Sequence, residues 1–537
     1  MQSALNGIKK ARGLDLKNKI HGQKINYEVL FMVKILPTPQ KIETISDKTF
    51  SFTHIGLGKS RLSKEGISDF EEFCALPTGE ANIVFKDDPS LGAEAYTLKI
   101  GKITEITASS MAGELYALQT LKQLFVEYDF NVPELYIEDA PKSEIRGFML
   151  DVGRYFFSVD GVKLILRKML FHKLNLFHFH LTEDQGFRVE IYSHMLLHQI
   201  GSRRPCTNFN TTPHSGYYTK EQIKEIVDYA HALGIKVMPE YDIPGHNRAA
   251  IAAYNDLACF PRDLTVATHW GVKHDVLCAG KSTTLKFVFD VIDEFCEMFP
   301  DKYFHIGGDE VPKHRWNMCP YCQKKIKDLG LKDADELQCW FMNTVKDYLV
   351  KKGKQVFMWS WDLKDPSKLD QDLGFTLCSD EALDDRAFID TATSAYYIDL
   401  PYGYVPLKAT VEHRNENKNS LGVEATLWTE YVPNMKKADE MTFPRLGAVS
   451  ETGWNGGITW AEFEEKLPFY MTLLDKNKWG YTMPKAANPN KLRGTVQDIW
   501  FERRQLTWQG LYNIFDDKAV EKMAKSATLE PEKPIKF

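Results

Sequence analysis

A chain of 537 residues is long enough for two or three domains and a large core. With 43% hydrophobic residues, 26% charged residues and a formal net charge of −6, it has the make-up of an ordinary globular protein, with no basic excess for nucleic acid or an anionic membrane. No apolar run reaches the roughly 18 residues of a membrane-spanning helix, so none is expected. Residues 1–26 are basic and aperiodic and read as a loosely attached leader. The opening "MQSALNGIKKARGLDLKNK" lacks the continuous apolar stretch of a signal peptide. That favours a cytoplasmic location, with a periplasmic or secreted one left open for a processed chain.

Residues 27–140 read as a small α+β domain. "EAYTLKI" and "KITEITA" alternate in polarity around Gly101-Lys102, the pattern of a hairpin. "SSMAGELYALQTLKQLF" then offers a serine cap and apolar residues at helical spacing, an amphipathic helix. "IEDAPKSEIRG" marks the boundary. Over 141–485 one unit recurs: a short β-branched and aromatic run that ends in polar residues, then a helical stretch. The runs cover 145–154, 174–184, 235–246, 303–310, 355–361, 374–379, 394–399 and 422–430. Clear helices such as "TKEQIKEIVDYAHALG" and "DELQCWFMNTVKDYLVKKG" lie between several of them. The alternation alone also fits a doubly wound sheet. The number of units favours a (β/α)8 TIM barrel, and residues 486–537 read as a helical segment packed on its outside.

A barrel of this kind reacts at the C-terminal ends of its strands. Those ends carry Asp151 and Arg154, Glu183 and Asp184, His246, Asp309 and Glu310, Trp359 and Trp361, Tyr397 and Asp399, and Trp428 and Glu430. Singly, each has an ordinary explanation: a surface ion pair, a satisfied histidine, a core indole. Together they describe an acid-rich pocket with indole walls, one arginine and one histidine. No G-x-S-x-G elbow and no P-loop accompanies them. Carboxylates with aromatic walls point to glycoside chemistry, because sugar faces stack on indoles and carboxylates move the protons. Two other readings stay open: a metal-assisted barrel enzyme, and a sugar-binding protein without catalysis. Adjacent strand residues face opposite ways. Asp309 and Glu310, in "HIGGDE", can therefore share one pocket only where the strand has ended. Nine cysteines are scattered along the chain. Cys319 and Cys322 form a lone CxxC with no second pair at zinc-site spacing, so it reads as a local loop feature. No metal and no cofactor is expected.

"HIGGDE", "RGFMLDVGR", "HFHLTEDQGFR", "MPEYDIPGH" and "EATLWTEYV" resemble, in order and along the whole barrel, family 20 of the glycoside hydrolases, the β-N-acetylhexosaminidases. The likeness covers roughly residues 30–480. It implies exo-acting removal of terminal β-linked GlcNAc or GalNAc from a glycan or glycoconjugate. The mechanism it implies is retaining and substrate-assisted: the 2-acetamido carbonyl attacks the anomeric carbon and an oxazolinium forms. By resemblance, Glu310 is the general acid/base, and Asp309 orients the acetamide and balances positive charge. Tyr397 donates to the acetamido oxygen, and Glu183 and His246 form a relay to the acid. Trp359 and Trp428 surround the acetamide and ring, and Arg154, Glu430 and Asp399 hold outer hydroxyls. The family often has Asp where Glu183 stands. Some members carry a tryptophan at strand six where this chain has Cys378, which leaves that wall either more open or closed by Trp361 instead.

Overall fold

Tyr96–Lys99 (β4) and Thr104–Ala108 (β5) pair antiparallel across the Gly101 turn, as their alternation requires. They belong to a six-stranded sheet with Lys41–Ser51 (β1), Ile55–Leu57 (β2), Thr78–Asp87 (β3) and Asn131–Asp139 (β6), in the order β1-β6-β4-β5-β3-β2. The structure is a computed structural model that describes residues 34–208, 210–505 and 509–529. The expected leader, residues 1–26, lies outside them.

The helix Met111–Glu127 begins where expected, with the Ser110 hydroxyl accepting from the Ala112 N–H at 3.0 Å. It differs from expectation in one respect: it is buried from Gly113 to Phe125 on every side rather than along one stripe. The physical reason is its position between the sheet and a second layer. Leu115, Leu118 and Leu121 fill the interior, and Tyr116 packs edge-on against Trp454 with ring centroids 5.2 Å apart. Amphipathic spacing records the face turned to the sheet; it carries no mark of the layer that covers the other face.

Polar contacts join that second layer to the sheet. Asp139, the last residue of β6, accepts from Lys173 Nζ at 2.8 Å, Tyr96 Oη at 2.6 Å and Trp454 Nε1 at 2.8 Å. The Lys173 and Asp139 side chains are both fully buried. Asp139→Ala is therefore expected to destabilise the protein by about 3–5 kcal/mol, because it strands a buried ammonium. Urea unfolding of wild type and variant checks this; a change within 0.5 kcal/mol or so, as for a surface site, is the contrary outcome.

The second layer is a closed barrel of eight parallel strands. They are Ile145–Asp151 (β7), Leu176–His180 (β8), Lys236–Glu240 (β9), Tyr303–His305 (β10), Gln355–Trp359 (β11), Gly374–Leu377 (β12), Phe388–Asp390 (β13) and Ser420–Leu427 (β14), with β14 pairing back to β7. Ile145, Leu176, Met238, Tyr303, Phe357 and Ile389 plug its lower end. Above them lies a polar layer in which His178 Nδ1 sits 3.0 Å from Glu424 Oε1 and His180 Nδ1 sits 2.5 Å from Glu240 Oε2. The barrel is thus a filled core that opens at the C-terminal ends of its strands.

One strand is not where the sequence places it. The seventh is Phe388–Asp390, and residues 394–399 form the turns that follow it, joined to β14 by an isolated Tyr397–Thr426 bridge. A three-residue strand is too short to show periodicity, whereas "SAYYID" alternates and looks like one. At the other end of the chain, helices Lys491–Gln505 and Gln509–Ala524 follow the barrel. Asp516 and Asp517 tie the second of them to Arg262, His274 and Arg315.

Candidate active site

The "HIGGDE" segment shows how two neighbouring acids come to face one space. The strand ends at His305, and Gly307 and Gly308 follow with φ of 63° and 97°, outside the pleat. A side chain on Gly307 would run into Asp242, whose Oδ1 lies 1.7 Å from where its Cβ would sit. Glu310 itself has φ 45°, a conformation that non-glycine residues rarely adopt. This break in the strand turns Asp309 and Glu310 to the same side.

They line a cavity of about 560 Å³ together with Arg154, Glu183, His246, Trp359, Trp361, Cys378, Tyr397, Asp399, Trp428 and Glu430. Every residue named above as catalytic or substrate-binding is on that wall. Trp359 is the last residue of β11, Glu183 lies in the short strand Thr182–Glu183 that follows β8, and the others belong to loops just past a strand end. Tyr397 and Asp399 reach the pocket from the turns after β13, not from the strand assigned to them. Trp361 sits half-exposed at the rim. Cys378 lies deeper, with its sulfur 3.3 Å from the Tyr397 hydroxyl.

The charges are arranged in a chain. Asp151 fixes Arg154 by accepting its backbone N–H at 3.1 Å and its Nη1 at 3.3 Å. The guanidinium then meets Glu183 Oε1 at 3.1 Å and Glu430 Oε1 at 3.3 Å, and lies 5.0 Å above the Trp428 ring. The same Glu183 oxygen is 2.9 Å from His246 Nδ1. The far nitrogen of that imidazole, Nε2, stands 3.5 Å from Glu310 Oε2 and 3.7 Å from Asp309 Oδ2. Glu183 therefore belongs to both sets, the arginine group and the histidine group.

These neighbours set the protonation states. Burial works against charge on His246, but Glu183 and Asp242 outweigh it and hold the imidazole protonated well above its usual range. Burial likewise opposes charge on Glu183, and Arg154 with His246 keeps it ionised. Asp309 is pushed up to about 7, chiefly by burial, with His246 pulling the other way and Glu310 adding repulsion. Asp399 is raised by burial and by Glu430. Asp309 Oδ1, Asp399 Oδ1 and Trp428 Nε1 are buried without hydrogen-bond partners among the described residues. Such groups cost free energy unless a ligand satisfies them. The cavity is thus built for a ligand with both hydroxyl or amide groups and an apolar face.

Indoles form the floor. Trp359 donates its Nε1–H to Glu240 at 2.7 Å, and its ring lies 5.3 Å from that of Trp428. Two donor sets, Glu183–Asp184–His246 and Asp242–His246–Asp309, have the spacing of a metal site. Arg154 places positive charge beside Glu183, and His246 lies beside Glu183, Asp184 and Asp309.

Sequence reading missed several contributors. Asp242 accepts the Gly308 N–H at 3.3 Å and so braces the glycine turn. Its place in "MPEYDIPGH", a run that ends in the pocket, was the available signal. Trp270, Gly271 and Val272 form a wall from the long loop before helix Ser282–Met298. Lys273 folds that loop by donating to the carbonyls of His269 and Gly271 at 2.9 and 2.7 Å. Nothing periodic in the sequence marks it.

The comparisons agree with this geometry. The model described as "Glycosyl hydrolase family 20, catalytic domain" matches residues 144–457, and "Glycosyl hydrolase family 20, domain 2" matches residues 32–140. The chain is 37% identical over 451 residues to a β-hexosaminidase of Porphyromonas gingivalis, an alignment that spans 77% of this chain and 58% of that protein's length. It is 32% identical to a β-hexosaminidase of Vibrio furnissii, over 78% of this chain and 76% of the other. Among solved structures, an exo-β-N-acetylglucosaminidase from Vibrio harveyi in complex with N-acetylglucosamine superposes with a TM-score of 0.75. It is 28% identical, and the match covers 84% of this chain and 78% of that one.

Proposed function

The chain belongs to family 20 of the glycosyl hydrolases, and from that premise we propose that it removes terminal, non-reducing β-linked GlcNAc or GalNAc from glycans by substrate-assisted retention. The observation that carries this reading is the placement of Asp309 and Glu310 side by side on one wall of an indole-lined cavity. A covalent retaining mechanism needs a second carboxylate across the sugar as nucleophile. Here the two acids are neighbours, which suits one that protonates the departing oxygen and one that holds the 2-acetamido group.

In the proposed reaction the acetamido oxygen attacks the anomeric carbon and the C–O bond to the leaving group breaks. Glu310 donates its proton to that oxygen, and an oxazolinium forms. Asp309 accepts the acetamide N–H and faces the developing positive charge, while Tyr397 donates to the acetamido oxygen. Water, deprotonated by Glu310, then opens the ring and restores the β-anomer. Trp359 and Trp428 enclose the acetamide and sugar face. Arg154, Glu430 and Asp399 take the outer hydroxyls of the terminal sugar, the contact that makes the reaction exo-acting. Glu183 holds His246 protonated beside both acids. A reducing, cytoplasmic-type compartment fits nine cysteines none of which forms a disulfide among the described residues. No helix among the described residues is long and apolar enough to cross a membrane.

The testing experiment compares a chromogenic β-GlcNAc with the matching β-glucoside. The glucoside lacks the internal nucleophile and is expected to be cleaved very poorly, while a thiazoline analogue of the bicyclic intermediate inhibits strongly. Equal rates on the two glycosides would refute substrate assistance.

Arg154→Ala is expected to lower kcat/KM roughly 10- to 150-fold, since charged hydrogen bonds contribute about 1.5–3 kcal/mol. An unchanged kcat/KM would remove Arg154 from the substrate's reach. A pH dependence follows from Asp309, which must be ionised to act. With its pKa near 7 in the free pocket, kcat/KM is expected to fall as pH drops through about 7. Bound acetamide donates to the carboxylate and favours the ionised form, so the acid limb of kcat is expected at lower pH. Coincident limbs would contradict this.

A further inference from the structure

The lone CxxC is not alone in three dimensions. Cys319 and Cys322 meet Cys259 and Cys278, and all four sulfurs lie within 4.8 Å of one another. All four residues are buried, three of them completely. The Sγ–Sγ separations are 3.8 Å for Cys259–Cys322, 3.7 Å for Cys278–Cys319 and 3.6 Å for Cys278–Cys322. A disulfide would bring a pair to about 2.05 Å. A tetrahedral zinc with Zn–S bonds of about 2.3 Å sets its sulfurs about 3.8 Å apart. A multi-iron cluster would spread its cysteines wider, because the irons and bridging sulfides stand between them. The observed edges are those of one metal ion at the centre of four thiolates.

The backbone around the cluster is built to hold it. An antiparallel bridge joins Ala258 to Leu277, which sets Cys259 and Cys278 beside each other. The Cys278 N–H donates to Leu257 O at 2.8 Å, and Trp316 Nε1 donates to Leu277 O at 3.0 Å. Gly280 approaches the CxxC so closely that a Cβ there would lie 2.2 Å from the Tyr321 carbonyl carbon and 2.3 Å from the Cys322 nitrogen. Cys319 caps helix Pro320–Leu329 and Cys322 lies in its first turn, where the helix dipole favours thiolate.

We propose that Cys259, Cys278, Cys319 and Cys322 bind one zinc ion as a closed tetrathiolate site that clamps two pocket-bearing loops together. Binding forms four Zn–S bonds and releases the thiol protons to solvent. Four protein ligands leave no open position, so the ion is structural rather than catalytic. One loop carries Trp270, Gly271 and Val272 on the cavity wall; the other is the continuation of Asp309 and Glu310. The clamp therefore fixes the wall beside the acids relative to the acids themselves. None of the four cysteines lines the cavity.

The test is elemental analysis of the full chain, purified under reductant and desalted without chelator. About one zinc per chain is expected, with a zinc-edge absorption spectrum fitted by four sulfurs at about 2.3 Å. Cys296→Ser, at a thiol outside the cluster, should keep the ion, and Cys319→Ser/Cys322→Ser should lose it. Should that double variant fail to fold, the wild-type spectrum decides alone. Less than about a tenth of an equivalent after zinc reconstitution, oxygen or nitrogen ligands in the spectrum, stoichiometric iron in place of zinc, or disulfides within the four by mass spectrometry each overturn the assignment. So does full zinc retention in the double variant.

Discussion

Glu310→Gln is expected to lose about 10²–10⁴-fold in kcat on substrates with an alcohol leaving group, the range that general acid catalysis supplies. A sugar hydroxyl departs as a poor anion and needs the proton during C–O cleavage. A nitrophenolate-type group does not, so its release is expected to be largely spared. Glu310 has the placement for both halves of the reaction. It is partly exposed where the leaving group and then water must approach, and one oxygen lies 3.5 Å from the protonated His246. The amide is isosteric with the acid, so the left-handed backbone at Glu310 is expected to be kept in the variant. The measurement is kcat/KM against leaving-group pKa for wild type and variant. A flat, wild-type-like response would take Glu310 out of the acid role.

Asp309→Asn is expected to lose about 10²–10³-fold, the scale seen when one preorganised electrostatic group is removed from a transition state. The amide keeps the shape but not the charge that opposes the oxazolinium. This loss is expected whatever the leaving group, because positive charge develops at the same atoms in every case. The variant is also expected to lose the acid limb of kcat/KM near pH 7, since the group responsible for it is gone. A leaving-group dependence as steep as that of Glu310→Gln would mean that the two roles are exchanged. An acid limb that survives in the variant would belong to another group, and the Asp309 assignment would fail on that point.

The residues of the cavity could be read largely from the chain because barrel chemistry is local to strand ends. A short, mostly apolar strand ends, and whatever polar group follows is delivered to the rim. That is why "LDVGR", "HLTED" and "HIGGDE" disclosed Arg154, Glu183, Asp309 and Glu310 without any structure. The hairpin around Gly101 and the Ser110 cap were legible for the same reason: each is set by residues within a few positions of one another. The seventh strand was not, because the run that follows Phe388–Asp390 alternates more convincingly than the strand itself.

What the chain determined alone, then, was local: which stretches alternate, which helices are capped, which acids stand behind glycines. What only the tertiary structure decided depended on contacts between segments far apart in sequence. The all-round burial of Met111–Glu127 follows from a barrel whose first strand begins at Ile145. The double use of Glu183 follows from Arg154 and His246 arriving from different strands. Most of all, the partners of Cys319 and Cys322 are single cysteines on an aperiodic loop 41–63 residues away. A metal site needs only that four sulfurs converge in space, and the spacing rule for paired CxxC motifs describes just the case in which local turns do the converging. Here a long loop, held against the barrel by a bridge, an indole and a glycine contact, brings them together instead.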